Sequence, residues 1–209
     1  MSPGPLPDHG DDPLRGTSMS RLRVSATARN ASGSAVLQDV AIGSPAPNAD
    51  RRRLAVALAT AGGAGYAPVA PGTAGAAVGA GLYWLIAPTG FAIVVATAVG
   101  LCVLGVFAAD GAERAFGKRD DGRIVIDEVV GQLVTLAPLP LLAGDARNLW
   151  LVTAGFLVFR LFDIWKPGPV RWAEHHFDGG AGVMFDDVLA GLLGAGCMAL
   201  LAAFTGGAA

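Results

Sequence analysis

The sequence predicts an all-α fold: a polytopic membrane bundle of about five apolar helices, with its active-site loops on one face. Three observations carry this. Of 209 residues, 53% are apolar and only 15% are charged, where soluble domains carry roughly 25% charge. Two runs, Phe91 to Ala109 and Val188 to Ala209, contain no charge at all, and each matches the roughly 20 apolar residues that a bilayer crossing needs. Lysine and arginine then fall almost entirely on one side of the crossings these runs imply.

Residues 1–50 are rich in Pro, Gly, Ser, Asp and Arg and hold no apolar run able to nucleate a core. They are expected to be a disordered tail, and residues 51–209 the membrane-embedded domain. The tail lacks the order of regions that marks a secretory signal. Leu54 to Gly72 begins apolar and then turns rich in Gly and Pro, which predicts an interfacial helix followed by an ordered loop. Ala74–Ala87, Val129–Ala143 and Leu149–Phe162 are shorter apolar runs, ambiguous as crossings by length alone. Pro88-Thr89-Gly90 and residues 144–148 read as tight turns between antiparallel helices. A soluble helical protein with a large core would accommodate the three short runs but not the two long uncharged ones.

If all five runs cross, residues 51–73, 110–128 and 160–187 share one side. Ten of the eleven Lys and Arg after residue 50 lie there, and Arg147 alone lies opposite. The positive-inside rule then puts the N-terminus and this charged face in the cytoplasm. A net charge of −2 gives no footprint for nucleic acid. Cys102 and Cys197 stand alone in apolar runs and read as thiols buried in a reducing or lipid environment.

The chemistry-bearing residues gather on the same side. Asp127 and Glu128 open the third run, Arg160, Asp163 and Lys166 close the fourth, Asp186 and Asp187 open the fifth, and Thr73 opens the first. Five carboxylates at a membrane interface repel one another unless compensated. A divalent cation resolves this, and hard oxygen ligands suit Mg²⁺. Gly131 and Gly191, each four residues after an acid, allow the close helix approach that a shared ion requires. Capping by the helix dipole accounts for one acidic pair more readily than for two. Arg160, Asp163 and Lys166 are spaced by three and share a helical face. Arginine binds phosphate through a fork and lysine as a point charge; the alternative is a snorkelling interfacial face. Arg171 is a weaker candidate for contact with lipid phosphate. Gly179-Gly180-Ala181-Gly182 could present backbone amides to an anion, with Gly180 at its centre. No Cys stands five residues before an Arg, no Asp-x-Asp pair follows a strand-like run, and His175-His176 has no second basic motif. Water activated by metal remains the natural nucleophile for a phosphate monoester.

Four segments resemble phosphatidylglycerophosphatase A. They are Pro68–Gly75 (PVAPGTAG), Ile124–Gly131 (IVIDEVVG), Phe159–Trp172 (FRLFDIWKPGPVRW) and Gly179–Gly191 (GGAGVMFDDVLAG). The Gly-rich pieces are weak signals singly, but four in this order are specific, and the resemblance spans roughly residues 55–205. It implies a Mg²⁺-dependent enzyme of the bacterial inner membrane that converts phosphatidylglycerophosphate to phosphatidylglycerol and phosphate. The family's motif residues fall on Thr73, Asp127, Glu128, Arg160, Asp163, Lys166, Asp186 and Asp187; the N-terminal 50 residues lie outside the match. The expected site then has Asp127, Glu128, Asp186 and Asp187 on the metal. Arg160, Lys166 and Thr73 would meet the phosphate, and Asp163 would orient the cations or join the metal shell. A phosphoalcohol transferase would need an acidic motif through one helix pair that the sequence lacks. A channel would place charge in mid-span, where the long runs have none.

Overall fold

The computed structural model describes residues 47–168, 170 and 179–206. Among the described residues seven α-helices are delimited, in order: α1 Pro47–Ala59, α2 Pro71–Ile86, α3 Phe91–Phe116, α4 Ile126–Leu136, α5 Leu139–Leu142, α6 Leu149–Trp165 and α7 Gly179–Gly206. Short 3-10 segments, Ala61–Tyr66 and Ala87–Thr89, make two of the corners. The described residues contain no strand. Most of the expected tail lies outside the described residues, although its last residues already belong to α1.

The third apolar run does not form one helix. Pro138 has no N–H to continue the ladder, so α4 stops at Leu136 and the chain turns into α5. At 11 residues, α4 is about 16 Å long, well short of a hydrocarbon core of roughly 30 Å. It instead forms the centre of the bundle, in contact with α2, α3, α6 and α7. Val129, Val130, Leu133 and Leu136 are all buried there.

Glycine makes the central contact possible. A Cβ on Gly131 would lie 2.7 Å from the Asp187 carbonyl oxygen, and one on Gly191 would lie 2.6 Å from the Gly131 carbonyl oxygen. The backbones of α4 and α7 therefore touch directly. One turn further along, Thr135 Oγ1 donates to the Gly131 carbonyl at 3.0 Å and reaches the Gly191 carbonyl at 3.3 Å.

Helices α3 and α7 are long and apolar enough to cross a membrane. Each buries one apolar face in the core and turns another outward: Val103, Leu104 and Phe107 on α3 and Leu192, Leu200 and Phe204 on α7 are exposed. An apolar exterior of this extent marks a surface that associates with something other than water, and together with the two long helices it indicates membrane association.

Candidate active site

The polar site lies where the N-terminal turns of α2 and α4, the C-terminus of α6 and the first third of α7 meet. Ile126 is the first residue of α4, so Asp127 and Glu128 occupy its first turn. Helix α7 begins at Gly179 rather than near Asp186, so the second acidic pair sits about two turns inside the helix. The four small residues from Gly179 are the helix's opening turn, not a loop ahead of it. The Gly180 amide, expected to face an anion, donates to the Asp110 carboxylate of α3 at 2.6 Å. The anion that it meets is thus part of the chain.

Oxygens of Asp127, Glu128 and Asp187 lie within 4.8 Å of one another. Asp187 is buried, and both Asp187 Oδ2 and Glu128 Oε2 are shielded from solvent without a hydrogen-bond partner. Like charges this close, with donorless buried oxygens, call for a cation between them. A set of carboxylate oxygens fits a hard divalent ion, so the residues present fit a metal.

The two acidic pairs share a local device and then diverge. Asp127 Oδ1 accepts the Glu128 amide, and Asp186 Oδ1 accepts the Asp187 amide, both at 3.1 Å. In the first pair both carboxylates join the triad. In the second only Asp187 does, while Asp186 Oδ2 takes the Lys166 ammonium at 2.8 Å. Of the four expected ligands, three therefore converge and the fourth holds a lysine.

Helix α6 delivers the cations in an unexpected way. Arg160 pairs with Asp163 one turn on, as their spacing suggests. Lys166 does not continue that face: it is the C-cap, in the left-handed region at φ 46°, and its amide bonds the Phe162 carbonyl at 2.9 Å. Pro167 follows, and the turn swings the Lys166 side chain toward α7.

A cavity of about 250 Å³ opens over the triad, lined by Asp127, Glu128, Asp163, Lys166, Asp186 and Asp187 together with Glu113, Arg119, Asp120, Gly122 and Ile124. Arg160 and Thr73 are not among its lining residues. Arg160 stands behind Asp163, and its Nη1 and Glu128 Oε1 both abut Gly72 at the start of α2. A side chain at that glycine would displace them. Arg171 lies outside the described residues.

Sequence reasoning missed Glu113, Arg119 and Asp120, which line the cavity from the α3 end and the loop after it. The Asp120 amide donates to Glu113 Oε1 at 2.7 Å, fastening that loop to α3. The basic loop had registered only as part of the charge asymmetry; nothing local marks Arg119 as a site residue.

Comparison with known proteins decides the family. The family model for phosphatidylglycerophosphatase A matches residues 57–202. The chain belongs to the phosphatidylglycerophosphatase A family. It is 36% identical over 143 residues to the phosphatidylglycerophosphatase A of Escherichia coli K12, covering 68% of this chain and 79% of that protein. It is 38% identical over 140 residues to the Haemophilus influenzae protein of the same name, covering 65% and 80%. A Bacteroides thetaiotaomicron protein named "putative phosphatidylinositol-3-phosphatase" is 42% identical over 147 residues, covering 66% and 87%. No solved structure matches the chain. Membership makes this chain an enzyme, a phosphatase of phospholipid metabolism, and the cavity over the acidic triad is its candidate active site.

Proposed function

We propose that the chain hydrolyses phosphatidylglycerophosphate to phosphatidylglycerol and inorganic phosphate in a Mg²⁺-dependent reaction. The reaction takes place at the cytoplasmic face of a bacterial inner membrane that the chain crosses several times. The observation that carries this reading is the convergence of Asp127, Glu128 and Asp187 beneath a cavity that also holds lysine and arginine.

Asp127, Glu128 and Asp187 would hold the ion. When bound, Mg²⁺ neutralises phosphoryl oxygens and lowers the pKa of a coordinated water. Lys166 offsets negative charge on the transferring phosphoryl group, and phosphoryl transfer relies mainly on such electrostatic stabilisation. Asp186 fixes the Lys166 ammonium within the cavity. Asp163 faces the same cavity while paired to Arg160, so Arg160 acts through Asp163 and Glu128 rather than on the phosphate directly. Thr73 follows Gly72 and closes the α2 side. In the net reaction a water oxygen bonds to phosphorus, the bond from phosphorus to the glycerol oxygen breaks, and a proton passes to that oxygen.

The membrane reading supplies the access route. The acyl chains remain in the bilayer beside the exposed apolar faces of α3 and α7, and only the head group enters the polar cavity. The clustering of basic residues near the site supports a cytoplasmic face.

The test is phosphate release by the full chain, purified in detergent, from phosphatidylglycerophosphate with Mg²⁺ and after chelation. Release that requires Mg²⁺ supports the proposal, and equal release without divalent ions removes the metal from it. Phosphatidylinositol 3-phosphate in parallel separates this substrate from the one in the Bacteroides protein's name.

A further inference from the structure

The C-terminal half of α3 presents two neighbouring stripes, and only one of them serves the active site. Asp110 and Glu113 face α7 and the cavity. Residues 104, 107, 111 and 114 recur at helical spacing on another stripe, and that stripe meets α1. The two helices touch closely, since a Cβ on Gly111 would lie 2.6 Å from that of Ala55.

Arg51, Arg52 and Arg114 line a cleft between these helices, with Phe107 at its apolar end. Arg52 is anchored by donating to the Ala115 carbonyl. Arg51 and Arg114 are exposed, and among the described residues no carboxylate pairs with either. Phe107 is 70% exposed and Leu104 53%. Phe107 lies two turns, about 10 Å, from Arg114, inside the uncharged stretch of a helix apolar enough to span a bilayer.

We infer that this cleft binds one anionic phospholipid, with its phosphate against Arg51 and Arg114 and an acyl chain along Phe107 and Leu104. Arginine forks match phosphate oxygens. The apolar stripe leading away from them distinguishes a lipid from free phosphate, which would use the arginines alone. The cleft is separate from the catalytic cavity, because none of its residues lines that cavity. Its occupant therefore belongs to the surrounding membrane and is not the reacting molecule.

The test uses the full chain in a neutral detergent with dioleoylphosphatidylglycerol, dioleoylphosphatidylcholine or inorganic phosphate added at equal concentration. Native mass spectrometry then counts the molecules retained. The wild-type chain is expected to retain the anionic lipid in preference to the other two. R51A/R114A should retain about tenfold less, and R51K/R114K should keep most of it. R147A, which removes an exposed arginine elsewhere, should change nothing. Phosphate release from a short-chain soluble substrate should be equal in all variants. The inference is overturned if R51A/R114A retains as much anionic lipid as wild type. It is also overturned if phosphatidylcholine is held equally well, or if R147A loses as much as the double variant. Retention of inorganic phosphate in place of lipid would overturn the acyl-chain contact.

Discussion

Two acidic regions lie a few residues apart in sequence and are solved in opposite ways. In the loop before α4, Asp121 is fully compensated. Its Oδ1 accepts Arg123 Nε at 2.7 Å and the Arg123 amide at 3.1 Å, while Oδ2 accepts Nη2 at 3.0 Å. The guanidinium is itself stacked 3.8 Å from the centroid of the Phe116 ring. Six residues later Asp127 opens a cluster whose three carboxylates meet each other, with buried oxygens left without donors. A carboxylate whose protein partners suffice serves the fold. Carboxylates that the fold brings together without sufficient partners are kept for something that the chain does not supply.

The sharpest way to break this contrast is to neutralise one acid in each region. Asp187→Asn or Asp127→Asn should lower phosphate release about a hundred- to a thousandfold, the scale of losing a key electrostatic group. The metal-free protein should melt no lower than wild type, because a like charge has been removed from a crowded site. Asp121→Asn should do the reverse, keeping activity and losing thermal stability. Full activity in both cluster variants would end the assignment of the triad.

Metal addition and removal comes next in size. Chelation should abolish activity reversibly, and Mg²⁺ at a hundred times its dissociation constant should stabilise the fold by about 2.7 kcal/mol. A thermal shift that disappears in Asp187→Asn ties the ion to the cluster. A shift that persists unchanged there places the ion elsewhere.

Gly131→Ala probes the packing that creates the cluster. The added methyl would meet Phe159 at 2.5 Å and the Asp187 carbonyl at 2.7 Å. Overpacking of this kind costs roughly 1–3 kcal/mol, and here it also pushes Asp187 away from Asp127. Activity should therefore fall further than stability alone explains, read as a drop in kcat at a temperature well below the melting point. Gly100→Ala, which meets nothing within 4 Å, is the control.

How much of this was legible in the sequence follows from the range of the forces involved. Acids at the borders of apolar runs and glycines four residues beyond them were visible because both are local patterns, and Pro167 marked the end of α6 for the same reason. The start of α7 was not visible. Gly179 to Gly182 has no hydrophobic period and reads as a loop; in the structure an acid 70 residues away in sequence accepts the Gly180 amide. Helical spacing placed Lys166 beside Arg160, but its left-handed backbone turns it to Asp186. The break at Pro138 was written in the sequence, yet the apolar run around it masked it, since a central helix enclosed by others needs no bilayer length. Arg119 carried no local signal at all. Its place over the cavity depends on the loop that Glu113 fastens.

The smallest expected effect tests the compensated side of the contrast through pH. Hydrogen bonds from the Arg123 side chain hold the Asp121 carboxyl below its ordinary range, with its charge adding to the effect. In the unfolded chain the group titrates near about 3.9. Its folded value is the lower one, so the unfolded state binds the proton more readily. The pair's contribution is thus fully present above the unfolded pKa and is lost as pH falls through that value toward the folded one. Thermal melts should show wild type ahead of Asp121→Asn by a few degrees at pH 7, with the gap closing below roughly pH 4. The guanidinium is partly open to solvent, so added salt should narrow the gap as well. A gap that stays constant from pH 7 to pH 3 would mean that the Asp121 charge contributes nothing. The loop would then rest on the stacking of Arg123 against Phe116, and the contrast with the triad would be one of geometry rather than of charge.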